Sequence, residues 1–125
     1  MAAFDNADIQ QRLAHALALK NDGKYDEAIA ELQAVLASDE KHADARLNLG
    51  LIYGFIGRFD ESLAELRKVV ELHPEHVEAH YNLGMTYAML SMFEEARAEF
   101  TLVLALQPGH AQATKQMSYF SALDK

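Results

Sequence analysis

The sequence contains no cysteine among its 125 residues. This absence excludes disulfide bonds, thiolate nucleophiles, redox chemistry of the chain itself and cysteine-ligated metal sites. It also suits a reducing compartment, so we expect a cytoplasmic location. The serines form no recognisable nucleophile motif, so no catalytic residue can be named and we expect that the protein is not an enzyme.

Long apolar runs are also missing. No segment approaches the roughly 20 apolar residues that a membrane helix needs, and residues 1–6 lack the basic start and apolar core of a signal peptide. Acidic residues outnumber basic ones by 19 to 11, which gives a formal net charge of -8. This charge repels phosphate backbones and anionic lipids and favours a basic partner. The composition therefore predicts a soluble protein without membrane insertion and without a nucleic-acid partner.

Half of the residues are hydrophobic, which is enough for one folded domain over residues 1–125. Internal sequence repeats organise that domain. A shift of 34 places superimposes Leu49-Gly50 on Leu83-Gly84 and, in the preceding interval, Asp26-Glu27 on Asp60-Glu61. Three units follow one another without a gap. They comprise residues 9–42, 43–76 and 77–110.

Each unit has the pattern of two helices joined by a turn. In the second unit, apolar residues recur at helical spacing on both sides of the break at Gly57-Arg58-Phe59. Acidic pairs fall where second helices begin, and Pro74 and Pro108 predict that two of those helices end near the preceding residues. Because a helical hairpin buries only one side, the last unit needs a cover. We predict that residues 111–123 form this capping helix, with Met117, Phe120 and Leu123 on one side.

These residues resemble the tetratricopeptide repeat, whose signature is W-x2-L-G-x2-Y, then A-x3-F, then P. The third unit matches it as His80-x2-Leu83-Gly84-x2-Tyr87, Ala96-x3-Phe100 and Pro108, and departs only at the tryptophan position. The second unit reads Arg46-x2-Leu49-Gly50-x2-Tyr53, Ser62-x3-Leu66 and Pro74, while the first unit is more divergent. The resemblance implies an all-α, right-handed α-solenoid of three helix-turn-helix units plus a C-terminal capping helix. Small residues such as Gly50 and Gly84 would lie where paired helices approach closely.

Family resemblance also implies that the first helices line a concave groove that holds a protein or peptide. Residues 47–56 are apolar nearly all round, which indicates a helix that is either buried on every side or open to a partner, and aligned apolar pairs favour the partner. The predicted groove residues are Leu13, Leu17, Lys20, Leu47, Asn48, Leu51, Tyr81, Asn82, Met85, Lys115 and Tyr119.

Two types of occupant are compatible with these groove residues. The apolar stripe favours an amphipathic helix, whereas the amides of Asn48 and Asn82 could hold the backbone of an extended peptide. Alternatively, asparagine is simply common at that position in the family. Relatives that bind the carboxylates of chaperone tails use a basic clamp, and this chain lacks it. The clamp positions hold Leu13, Leu17, Asn48, Glu78 and Asn82.

A cluster of histidines raises the alternative of a metal site. His76 and His80 are one helical turn apart, a usable ligand spacing, and His73 lies nearby. However, His42, His76 and His110 recur at the same position of successive units, which indicates a local role in the turns. We therefore predict no metal and no cofactor.

The sequence thus predicts a protein-protein interaction module, of the adaptor, scaffold or chaperone-like kind, that binds an apolar or amphipathic segment of a partner in its groove. The alternative is a structural repeat protein whose groove or cap forms a homo-oligomer.

Overall fold

The computed structural model describes residues 4–123 and contains seven α-helices in that range. The first six form three consecutive pairs, and the seventh follows the last pair. The helices are α1 Asn6–Asn21, α2 Tyr25–Ser38, α3 Ala43–Phe55, α4 Phe59–Leu72, α5 Val77–Met89, α6 Phe93–Leu106 and α7 Ala111–Leu123. The all-α helical repeat predicted from the sequence is confirmed, while its division at residues 42, 76 and 110 stays a prediction. None of the helices in this range is long and apolar enough to span a bilayer.

Histidine side chains cap the starts of three helices. The Nδ1 atom of His42 accepts a hydrogen bond from the backbone N–H of Ala45 at 3.1 Å, and His76 does the same for Ala79 at 3.1 Å. His110 repeats this contact at the start of α7. The first backbone N–H groups of a helix have no partner within the helix, so each histidine satisfies one of them. Histidine therefore recurs every 34 residues because each one caps the helix that follows a turn.

The second helix of each pair begins where the sequence predicts, and those of the second and third pairs also end there. Acidic residues occupy the first turns of α2, α4 and α6, where they meet the positive end of the helix dipole. Helices α4 and α6 are followed by His73 and Gln107, whose ψ angles of 78° and 86° lie outside the helical region that a following proline disfavours. Pro74 and Pro108 are thus compatible with these two helix ends, and Asp39 adopts nearly the same backbone angles at the end of α2, where Glu40 follows instead of proline.

Two glycines lie where paired helices pack closely against each other. A Cβ atom on Gly50 would lie 2.9 Å from the side chain of Leu66, and one on Gly84 would lie 2.8 Å from the ring of Phe100. Real Cβ contacts are longer than this, and Leu66 and Phe100 are fully buried. A side chain at either glycine would therefore have to displace the buried side chain of Leu66 or Phe100.

The core consists of two buried clusters that together extend from the first pair to α7. One buried cluster extends from Ile9 to Tyr53 and a second from Leu47 to Phe120, and α3 contributes to both. Phe120 of α7 is buried against the ring of Phe100, with ring centroids 6.0 Å apart. Helix α7 thus covers the end of the third pair, as predicted for residues 111–123, although the side chain of Leu123 lies outside the described part of the chain.

Candidate functional site

Two of the predicted groove residues belong to the core instead. Leu13 is 8% exposed and Leu47 is 4% exposed, because each packs against neighbouring helices. Residues four apart on a helix are offset by about 40° around its axis, so one member of a pair can be buried while the other reaches the surface. Leu17 and Leu51 are accordingly half-buried. The predicted stripe of aligned leucine pairs is therefore corrected to a narrower surface without Leu13 and Leu47.

Four of the predicted residues come together in one apolar cleft. Leu51 of α3 and Tyr81, Asn82 and Met85 of α5 line a cleft of about 330 Å³, which we call the α3–α5 cleft. Its remaining lining residues are Gly50, Gly54, Phe55, Phe59, Ser62, Leu66, Thr86 and Met89. The lining is predominantly hydrophobic, as is typical of sites that hold an apolar ligand group.

The floor of the α3–α5 cleft is open because Gly54 has no side chain. A Cβ atom at Gly54 would meet only the Oγ atom of Ser62, at 3.6 Å, so the space above it is free. The polar groups below are satisfied within the protein. Ser62 Oγ donates to the carbonyl oxygen of Gly50 at 2.8 Å, and Thr86 Oγ1 donates to that of Asn82 at 3.0 Å. The floor can therefore accept an apolar group without leaving a hydrogen bond unmade.

Two walls of the α3–α5 cleft consist of exposed hydrophobic side chains that the sequence analysis did not include. Phe55 is 62% exposed and Met89 is 64% exposed, at equivalent positions near the ends of α3 and α5. The ring of Phe55 also contacts Tyr25, with centroids 6.1 Å apart. The sequence spacing could have identified both residues as part of the groove. Phe55 lies four residues after Leu51, and Met89 lies four residues after Met85.

Equivalent asparagines in α3 and α5 are bonded differently. Asn48 and Asn82 each donate from Nδ2 to the carbonyl oxygen four residues earlier, at 2.8 and 2.9 Å. The Oδ1 atom of Asn48 also accepts from Lys20 Nζ at 2.8 Å. Across residues 4–123, no side chain or backbone group donates to Oδ1 of Asn82. Asn82 therefore has a free acceptor beside the cleft, whereas Asn48 and Lys20 satisfy each other.

A polar depression adjoins the cleft on the side of α7. It has a volume of about 440 Å³, and we call it the α5–α7 depression. Tyr81 and Asn82 line both concavities, so the two form one continuous surface. The ring of Tyr81 packs between Phe100 and His110, with centroid distances of 5.7 and 5.2 Å. The other residues that line the depression are Val77, Glu78, Gln107, His110 and Gln112.

The remaining predicted groove residues lie outside this surface. Leu17 and Lys20 belong to α1, and Lys115 and Tyr119 are exposed on α7 without lining either concavity. A further depression, of about 500 Å³, lies beside α1 and is lined by polar residues that include Arg12 and Glu31. None of the predicted groove residues lines it.

Of the three histidines considered as metal ligands, His76 and His80 are engaged in structural contacts, whereas Nε2 of His73 is buried without a hydrogen-bond partner among the described residues. His80 is buried, with Nδ1 2.7 Å from Glu99 Oε2 and Nε2 2.6 Å from the carbonyl oxygen of Pro74. Nδ1 of His76 is occupied by the cap described above. Over the described range, no three His, Cys, Asp or Glu side chains are grouped so that they could hold a metal ion.

Known structures share this architecture. The first tetratricopeptide domain of Spaghetti (RPAP3), bound to the HSP90 peptide SRMEEVD, matches with a TM-score of 0.91 and 23% identity over 100% of both chains. YrrB, described as a tetratricopeptide protein with an unusual peptide-binding site, matches with a TM-score of 0.82 and 25% identity over 94% of this chain and 58% of its own. An O-GlcNAc transferase mutant from Thermobaculum terrenum matches with a TM-score of 0.82 and 27% identity over 90% of this chain and 22% of its own.

Sequence comparison identifies the repeat directly. No curated protein shows significant sequence similarity to the chain. The family model described as tetratricopeptide repeat matches residues 13–53 and 54–111, which is most of the sequence. Together with the three helix pairs and the glycine contacts between their helices, this match shows that the chain belongs to the tetratricopeptide repeat family.

Proposed function

We propose that this protein is a non-enzymatic interaction module, acting as an adaptor or scaffold in the cytoplasm, that holds a short segment of a partner protein in the α3–α5 cleft. The observation that carries the proposal is the open apolar cleft itself, with Leu51 and Met85 inside it and Phe55 and Met89 exposed at its walls. Exposed hydrophobic surface that borders a preformed cleft is typical of protein-binding sites.

The relatives support a peptide as the ligand class. The first and second tetratricopeptide domains of Spaghetti (RPAP3) are bound to the HSP90 peptide SRMEEVD. That peptide is acidic, and this chain has Glu78 and a formal net charge of -8. Like charges repel, so we propose a different peptide chemistry from that of the HSP90 tail.

Two modes of occupancy make different demands on the cleft. An amphipathic helix would need a continuous apolar stripe, but Leu13 and Leu47 are buried and cannot extend it. An extended segment would need an acceptor for its backbone N–H groups, and Asn82 Oδ1 is available for that role. These contacts favour an extended segment with one bulky apolar side chain in the cleft.

Self-association is the competing use of the same surface, because Phe55 and Met89 could equally be covered by a second copy. Sedimentation across a range of concentrations separates the two. A monomer at micromolar concentration supports the proposal, whereas a dimer that is dissociated by Leu51→Asp favours self-association through the cleft.

The experiment that tests the function uses short random peptides displayed on phage and selected on the purified protein. Selected peptides are then titrated against the wild type, Leu51→Asp and Leu102→Asp. Leu102 is an exposed leucine on α6 outside the cleft, so it controls for the introduced charge. We expect Leu51→Asp alone to weaken binding. Equal affinity of all three proteins would place the binding site elsewhere.

A further inference from the structure

The apolar cleft and the polar depression meet at Tyr81 and Asn82. We infer that the partner segment is bipartite: a bulky apolar side chain enters the α3–α5 cleft, and a lysine or arginine of the same segment lies beside Glu78 in the α5–α7 depression. This inference rests on the proposed function and adds the chemistry and spacing of the ligand.

The electrostatics of the depression favour a cation. Glu78 is exposed and contributes the carboxylate among the residues that line it, together with the amides of Asn82, Gln107 and Gln112. His110 does not offer a free Nδ1, because that atom accepts from the backbone of Ala113 at 3.0 Å. The α7 residue Lys115 does not line the depression. A positive side chain would therefore gain a charge-assisted hydrogen bond, and an acidic side chain would be repelled.

The helix that carries these residues sets the spacing of the two ligand groups. Glu78 precedes Met85 by seven residues and Met89 by eleven along α5. With a rise of 1.5 Å per residue, these positions are roughly 10 and 16 Å apart along the axis. An extended chain covers this span in about three to five residues. The basic residue should therefore lie about three to five positions from the apolar anchor.

Asn82 lies between the two subsites and determines the conformation of the segment that connects them. Its Nδ2 is occupied by the carbonyl oxygen of Glu78, so Oδ1 remains to accept a hydrogen bond. A backbone N–H of an extended segment can supply it, whereas the interior N–H groups of a helix are already bonded within the helix. The free acceptor therefore fits the extended span between anchor and basic residue.

The test uses the displayed random peptides as the probe. We expect peptides selected on the wild type to be enriched in lysine or arginine at that distance from a bulky apolar residue. Affinity for such a peptide should fall about tenfold or more in Glu78→Lys and less in Glu78→Gln. Glu71→Lys makes the same charge change at an exposed site on α4 and should leave affinity within about twofold. Circular dichroism checks that each variant is folded.

A charge swap completes the test. Replacing the basic residue of a selected peptide with glutamate should weaken binding to the wild type and strengthen binding to Glu78→Lys. If peptides need Leu51 but show no basic preference and no response to Glu78→Lys, the bipartite site is wrong while the proposed function stands. If selected peptides bind Leu51→Asp as tightly as the wild type, or if no peptide is enriched, the proposed function fails and the bipartite site fails with it.

Discussion

His80 and Glu99 join the two helices of the third pair through a buried contact of 2.7 Å between Nδ1 and Oε2. The second pair makes the equivalent connection with Arg46 and Glu65, at 2.9 Å. Arg46 also donates a hydrogen bond to the carbonyl oxygen of Glu40. In the third pair, Nε2 of His80 lies beside the carbonyl oxygen of Pro74 in the same way. Histidine therefore replaces arginine in a contact that ties two helices and the preceding turn together.

We predict that His80→Ala lowers the free energy of unfolding by about 1–3 kcal/mol, because it leaves the carboxylate of Glu99 without its hydrogen-bond partner in a largely buried position. His80→Arg should remain close to the wild type, since arginine makes this contact in the second pair. Urea denaturation of both variants at one pH measures the difference. A stability loss below about 0.5 kcal/mol in His80→Ala would show that the contact is not structural.

A second prediction concerns the close packing of α5 and α6 at Gly84. Gly84→Leu should destabilise the protein by about 1–3 kcal/mol or more, because a side chain there collides with the buried ring of Phe100. Gly54→Ala is the matched control, with room for its Cβ atom in the cleft. It should be neutral or stabilising by about 0.5–1 kcal/mol, since alanine favours the helix. Thermal denaturation, monitored by circular dichroism, shows whether each variant is less or more stable than the wild type. Equal losses of stability in both variants would contradict the prediction.

The third prediction arises from the turns within the helix pairs. Gly23 and Gly57 have φ angles of +76° and +80°, and Ser91 occupies the equivalent turn with φ +60°. A non-glycine residue in this conformation costs roughly 1–2 kcal/mol, so Ser91→Gly should raise the free energy of unfolding by about 1 kcal/mol. Ser118→Gly, at an exposed position inside α7, should lower it. Chemical denaturation of the two variants should give opposite shifts, and a destabilised Ser91→Gly would disprove the argument.

The fourth prediction separates the two asparagines. Asn82→Ala should weaken binding of a selected peptide about tenfold, because it removes the free acceptor beside the cleft. Asn48→Ala should have a smaller effect on binding, since Lys20 already occupies the corresponding oxygen. Isothermal titration of each variant supplies the comparison. A helical ligand would be indicated if neither substitution changed affinity while Leu51→Asp still abolished it.

Metal should be dispensable for folding. A chelator is expected to leave the melting temperature unchanged, because the stacked core is apolar and the nitrogens of His80 face protein acceptors. His76→Ala should still cost about 1 kcal/mol through loss of its helix cap, with or without added zinc. Differential scanning calorimetry tests both statements. A chelator-induced fall in melting temperature that zinc reverses and His76→Ala abolishes would establish a metal site.

The helix boundaries were predictable because local chemistry fixes them. Pro74 restricts the residue before it, and acidic pairs mark the first turns of second helices, so neither signal depends on distant contacts. The direction in which a side chain points around its helix is harder to predict, because it depends on how neighbouring helices are rotated against each other. For this reason the repeat pattern predicts that Leu13 and Leu47 lie on the surface, although both are buried.

The composition of the cleft was predictable only in part. Register places Leu51 and Met85 on it, but Phe59 begins a second helix and reaches the cleft because α4 packs against both α3 and α5. The bond between Lys20 and Asn48 joins residues 28 positions apart in different pairs. The 34-residue repeat makes Asn48 and Asn82 equivalent in the sequence. It cannot show that only Asn48 has a lysine partner.

Tyr81 connects the ligand surface with the end of the solenoid. Its side chain lines both concavities, while its ring packs against His110, whose imidazole caps α7. A segment that immobilises Tyr81 would therefore also restrain the first turn of α7. Binding and fraying of the last helix are then thermodynamically linked, so an occupied cleft should slow amide hydrogen exchange in α7, including turns beyond Gln112, which lines the depression.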